Sequence, residues 1–184
     1  MALVAAILMA IGAPAQAHRL DEYLQATTIG LGRDGITLRL RLTPGVDVAD
    51  RVIGQIDRNG DGILSAEEQQ AYARRIARSL SFSLNGKSVS LRPEAGAFPT
   101  IDAMKGGAGV IDMAFDVKTR LENGNYRLAY RNKASGPETV WLANCLLPQD
   151  PSIHVLQQKR SEDQSFYQLD FLVDDRKSAQ NSSR

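Results

Sequence analysis

A single cysteine, Cys145, serves the whole 184-residue chain, so no internal disulfide can form and stability has to come from packing or from a bound metal. It lies in the apolar run "VWLANCLL", a setting for a buried inert thiol rather than a nucleophile. Excess charge of either sign is also lacking: 22 Lys plus Arg against 21 Asp plus Glu leave a formal net charge of +1. No overall field draws the chain to nucleic acid or to an anionic membrane, and partners have to be argued from local sites. Internal repeats, a nucleophile elbow and a zinc-protease helix motif are all missing, so no enzyme class is supported. The segment "KGGAG" has neither the strand-to-helix context nor the Lys-Ser/Thr pair of a phosphate cradle, and reads as part of an irregular connection over Pro93 to Gly109.

Long apolar runs are scarce as well. The first, Ala2 to Ile11, is broken by Gly12 and Pro14 and followed by the small residues Ala15 and Ala17. This is the pattern of a secretory signal, residues 1–17, cleaved after Ala17, although no Lys or Arg precedes the run. It is well short of the roughly 20 apolar residues a spanning helix needs, and no later segment is longer. The expectation is a periplasmic chain with no transmembrane span in its mature part. The tail from Asp174 to Arg184 has almost nothing to bury and is expected to be disordered.

Between these ends the period of hydrophobicity changes twice. Ile36, Leu38, Leu40 and Leu42 alternate with Thr37, Arg39 and Arg41, which describes a strand with one wet face, hairpinned to the preceding run through a turn at Gly32 to Gly35. From Val48 to Ile56 the spacing becomes helical, with Val48, Val52, Ile53 and Ile56 on one face, and Tyr72, Ala73, Ile76, Ala77 and Leu80 repeat it. After Leu80 the alternation returns, with Asn85-Gly86 suited to a tight hairpin turn. Eight or nine short strands are predicted in all. They make one mainly β (α+β) domain over 18–173: an antiparallel sandwich or partly closed barrel with a helical hairpin inserted at about 46–80.

The two predicted helices flank "DRNGDGILSAEE", Asp57 to Glu68. A Ca²⁺ ion takes about six to eight oxygens, and one short loop wraps it only if alternate side chains point inward while the backbone turns sharply. Asp57, Asn59 and Asp61 stand at the first, third and fifth positions, Gly62 at the bend, Ile63 offers its carbonyl, Ser65 occupies a position that often acts through water, and Glu68 closes the loop. Leu64 is the apolar tether, and Ser65 with Glu68 three residues on has capping-box spacing for the second helix. All twelve positions resemble the EF-hand pattern, which implies a Ca²⁺ site on Asp57, Asn59, Asp61, Ile63, Ser65 and Glu68. The loop is single, so it must lean on the β domain rather than on a second loop. With three carboxylates and one amide, an affinity on the order of 10⁻⁵ to 10⁻³ M is expected.

Cleavage after Ala17 would make His18 the mature N-terminus, whose amine and imidazole form a bidentate nitrogen chelate suited to Cu²⁺ and less well to Ni²⁺ or Zn²⁺. The only other histidine is His154. The terminal chelate resembles that of exported copper-binding β-sandwich proteins and of copper-dependent polysaccharide monooxygenases. A wider resemblance rests on "AHRLDEYLQA", the single calcium-type loop and "RSEDQSFYQLDF". Together these are similar to a group of exported bacterial proteins and to the periplasmic portion of hydrogenase and urease accessory proteins of the HupE/UreJ type. It implies metal handling outside the cytoplasm, while transport is not carried over to a chain with a polar tail. The function expected is calcium binding that steadies a helical hairpin able to dock an envelope protein, the alternative being a copper or nickel carrier built on His18.

Overall fold

The computed structural model describes residues 21–91 and 93–175. The expected signal segment, His18 and nearly all of the expected tail lie outside these residues.

Two five-stranded sheets face each other and do not close into a barrel, so of the two predicted β architectures the sandwich holds. The elements in chain order are β1 (Tyr23–Gly32), β2 (Gly35–Pro44), α1 (Val46–Ile56), α2 (Ala66–Ser79), β3 (Leu80–Leu84), β4 (Lys87–Val89), β5 (Pro93–Ala97), α3 (Ile101–Lys105), β6 (Ile111–Val117), β7 (Gly124–Asn132), β8 (Thr139–Cys145), β9 (Ile153–Arg160) and β10 (Phe166–Val173). One sheet runs β5-β6-β2-β1-β8 and the other β4-β3-β7-β10-β9.

Alternation decides which side of each strand faces inward. Ile36, Leu38, Leu40 and Leu42 of β2 are buried while Thr37, Arg39 and Arg41 are exposed, as the strict period of two requires. In β10, Tyr167, Leu169, Phe171 and Val173 do the same for the facing sheet. The predicted turns are in place: Gly32 pairs with Gly35 across the β1–β2 hairpin, and Asn85 and Gly86 link β3 to β4 with φ of 49° and 76°.

Three features differ from the sequence expectation. First, the described residues form ten strands rather than eight or nine. Second, the stretch read as an irregular connection holds β5 and α3. Neither has an amphipathic signature: β5 exists because β6 offers it a pairing edge, and α3 is a single turn or so held by the Thr100 hydroxyl accepting from the Ala103 N–H and by fully buried Met104. Third, the sandwich is not wholly antiparallel, since β8 pairs with β1 in parallel, Tyr23 opposite Thr139. The chain leaves β7 in one sheet, crosses at residues 133–138 to the other, and so enters β8 at the end where β1 begins; the Tyr23 N–H donates to Glu138 O at 2.9 Å.

The helical pair lies between β2 and β3, the predicted insertion point, and therefore carries the chain from one sheet to the other. It packs against the end of the sandwich where β1 starts and β2 finishes. Val48, Val52, Ile53 and Ile56 of α1 and Tyr72, Ala73, Ile76 and Ala77 of α2 are buried in the common core. The Tyr72 and Tyr23 hydroxyls share a buried hydrogen bond of 2.5 Å, and Phe98 meets the Tyr72 ring edge-on.

Some inward positions of β1 are polar, and each finds a partner. Asn132 Nδ2 donates to Gln25 Oε1 at 2.9 Å, Gln25 Nε2 to the Ala134 carbonyl, and the Ala134 N–H to Asn132 Oδ1. Thr27 and Tyr130 join their hydroxyls at 2.7 Å across the two sheets, where burial raises the Tyr130 hydroxyl well above the ordinary tyrosine range. A buried hydroxyl stripped of its partner costs more than a hydrogen bond contributes net. Tyr130→Phe is therefore expected to lower unfolding free energy in urea by about 1–3 kcal/mol, while Thr27→Val combined with Tyr130→Phe recovers part of that loss. Additive single and double losses would contradict the pairing.

Candidate functional site

The loop between α1 and α2 is built from its own side chains. Asp57 accepts at both carboxylate oxygens, Oδ1 from the Gly60 N–H at 2.7 Å and Oδ2 from the Gly62 N–H at 2.9 Å. Asn59 Oδ1 accepts from the Asp61 N–H, and Asp61 Oδ1 from the Ile63 N–H at 2.8 Å. Each is an Asx-type contact that turns the chain without help from a sheet. Gly60 and Gly62 have φ of 72° and 78°, the left-handed region where a side chain would be strained, which is how the loop reverses within so few residues.

Glu68 shuts the loop. From the first turn of α2 its Oε1 accepts from the Arg58 N–H at 2.7 Å and its Oε2 from the Ser65 hydroxyl at 2.8 Å and the Ser65 N–H at 3.1 Å. The Ser65 hydroxyl accepts in turn from the Glu68 N–H, completing the capping box predicted for the second helix. The Ser65 hydroxyl, followed by the Arg58 and Ser65 amides, holds the Glu68 carboxyl below its ordinary value. Ile63 is exposed and its carbonyl accepts from the Ser65 N–H, while Leu64 packs against the core as the tether.

The predicted ligand residues are thus brought into one loop, yet not into a cage. Among the described residues no group of three or more His, Cys, Asp or Glu side chains converges as a metal site. In this arrangement the backbone amides are what the carboxylate oxygens face. The donor chemistry still suits a hard cation: each carboxylate offers about four acceptor positions, of which Asp57 and Asp61 each use two, while Glu68 accepts from three amides and the Ser65 hydroxyl and would have to exchange some of these for an ion.

The second predicted constellation is not assembled by the described residues. His154 sits on β9 opposite Leu172, its Nε2 buried with no hydrogen-bond partner among the described residues, and His18 lies outside them. Cys145 is half-buried, its thiol pushed up to about 11 by burial and directed at the Leu146 carbonyl, in keeping with an inert residue. The stretches that suggested the wider resemblance have structural tasks. "RSEDQS" is the β9–β10 turn, with Asp163 accepting from the Ser161 hydroxyl and the Ser165 N–H, and "DEYLQA" enters β1 with Tyr23 and Gln25 pointing inward.

Arg74, Arg75 and Arg78 lie off the apolar face of α2, where helical spacing alone would point all three at water. Arg75 instead lies over the Tyr72 ring, 4.8 Å from its centroid, and donates to Gln55 of α1, so it clasps the hairpin. Arg74 and Arg78 face a cavity beside the helix. Helical periodicity alone does not find such a neighbour, because β4 and β5 supply the opposite wall.

Compared with known proteins, no family model matches the chain, and neither a curated protein nor a solved structure does.

Ser65→Ala removes the cap and is expected to cost about 1 kcal/mol of stability in urea unfolding at neutral pH. The Glu68 carboxyl has a depressed value in the folded chain, so its contribution is present above the ordinary glutamate range and fades as pH falls through the folded value. The stability gap between wild type and Glu68→Gln should accordingly be widest at neutral pH and close in acid; a gap independent of pH would remove Glu68 from this role.

Proposed function

We propose that this is a calcium-binding protein of the periplasm, in which Ca²⁺ held by the Asp57–Glu68 loop steadies the α1–α2 hairpin as a docking element for another envelope protein. The observation that carries the reading is the closure of the loop. Oxygen-bearing side chains at Asp57, Asn59 and Asp61 alternate along a backbone bent at Gly60 and Gly62, and Glu68 reaches across from α2 to the loop's first turn. Asp57, Asn59, Asp61, Glu68, the Ile63 carbonyl and Ser65 would hold the ion.

The residues themselves set the energetics. Drawing Asp57, Asp61 and Glu68 together around an ion would oppose three like charges, each of which is met by loop amides. A divalent cation would compete with those N–H groups for the same carboxylates. An ion that binds only the ordered loop stabilises the folded chain by mass action. The loop is exposed and unpaired, which fits the weak, extracellular end of the affinity range. Export through the residue 1–17 signal and kinship with HupE/UreJ-type proteins belong to the same proposal, supported by the sequence patterns that suggested them.

The second reading, a copper or nickel carrier with His18 at the mature terminus, is favoured by one observation, the unpartnered Nε2 of His154. Copper titration of chain processed after Ala17, with His18→Ala as control, tests it; binding no tighter than micromolar would end it.

For calcium, millimolar Ca²⁺ is expected to raise the melting temperature of wild type, and Glu68→Gln or Asp57→Asn to abolish most of the rise. Calorimetry should return a dissociation constant on the order of 10⁻⁵ to 10⁻³ M. Identical melting with Ca²⁺ and with chelator would sink the proposal.

A further inference from the structure

The outer flank of α2 borders two cavities that share Arg74 and Pro93, one of 440 Å³ toward β3 and β4 and one of 680 Å³ toward β5. The smaller has an apolar floor that includes Phe82 and Leu91, both buried, and a rim carrying Arg74, Arg78, Ser88 and Ser90. No Asp or Glu lines it among the described residues. Arg74 and Arg78 stand one helical turn apart on exposed positions, and neither is ion-paired with a described residue; the one bond of Arg74 is a long 3.4 Å contact with Gln70. Two unneutralised guanidiniums over an apolar floor favour a ligand that is anionic at one edge and apolar beneath.

The shape indicates the size of that ligand. Together the cavities follow α2 from Ala66 to Arg78, about 18 Å at 1.5 Å per residue. That is the length of an extended chain of about five residues. β4 and β5, which form the other wall, are the terminal strands of their sheets. The larger cavity contains one acid, Glu94, beside Phe98 and Ala73, so positive character is confined to the Arg74–Arg78 end.

We propose that this trough on the α2 flank docks an extended acidic peptide segment of a partner protein, its carboxylates on Arg74 and Arg78 and its apolar side chains on the Phe82–Leu91 floor. The proposal rests on the reading that the hairpin is a docking element, and it does not require the calcium loop to be filled.

The test is fluorescence anisotropy on the full chain with a labelled hexapeptide of alternating Glu and Leu, acetylated and amidated, at low ionic strength with Ca²⁺ and with chelator. Saturable binding is expected, weakened about tenfold or more by Arg74→Gln/Arg78→Gln and by substituting Gln for Glu in the peptide. Arg74→Lys/Arg78→Lys keeps the charge, and Arg39→Gln/Arg41→Gln removes two positive charges from exposed positions of β2 that do not line the trough; both should bind much as wild type does. No binding at millimolar peptide, equal binding by the Arg74→Gln/Arg78→Gln variant, or competition by free glutarate as strong as by the peptide would overturn the proposal. Peptide binding that persists in chelator and in Glu68→Gln supports the trough even if the calcium reading fails, so the two fail separately.

Discussion

The buried contact between the Tyr23 and Tyr72 hydroxyls joins the first residue of a central strand to the middle of the second helix, and the placement of the hairpin depends on it. The hairpin is one of several connections that carry the chain between the two sheets, and α2 settles where a strand end offers both an apolar seat and a partner for its hydroxyl. Tyr23 does both. Its ring is buried among core residues and its hydroxyl, raised well above the ordinary value mainly by that burial, has little to meet but Tyr72. Arg75 over the Tyr72 ring and Phe98 against its edge complete the seat.

This seat explains how one loop stands without a second beside it. The loop's ends are the ends of α1 and α2, both anchored in the core, and Leu64 pins its middle. Between those anchors the chain is free to satisfy its backbone with its own carboxylates. Those oxygens face loop amides and hydroxyls, and under the proposed calcium reading a divalent cation would have to compete with these donors. A loop already this well satisfied would make any such site a weak one.

Much of this was legible because it is local. Alternation in β2 and β10, the Asn85-Gly86 turn, the helical faces of α1 and α2 and the Ser65–Glu68 capping box each depend on residues within a few positions of one another. What escaped was non-local. Strand β5, "PEAGA", has no apolar face and is a strand only through β6; the parallel β1–β8 pair reflects which sheet end the chain reaches after β7. The trough was hidden for the same reason, since Arg74 and Arg78 look like solvated helix positions until strands from two sheets arrive opposite them.

By itself, then, the order of residues determined the periods, the turns and the twelve-position spacing of oxygens in Asp57–Glu68, because φ/ψ preferences and side-chain direction act over a handful of residues. Only the tertiary structure decided that the sandwich stays open and that the hairpin sits on its end through Tyr23 and Tyr72. Those outcomes depend on contacts between residues far apart in the chain, where burial and hydrogen-bond satisfaction outweigh local preference.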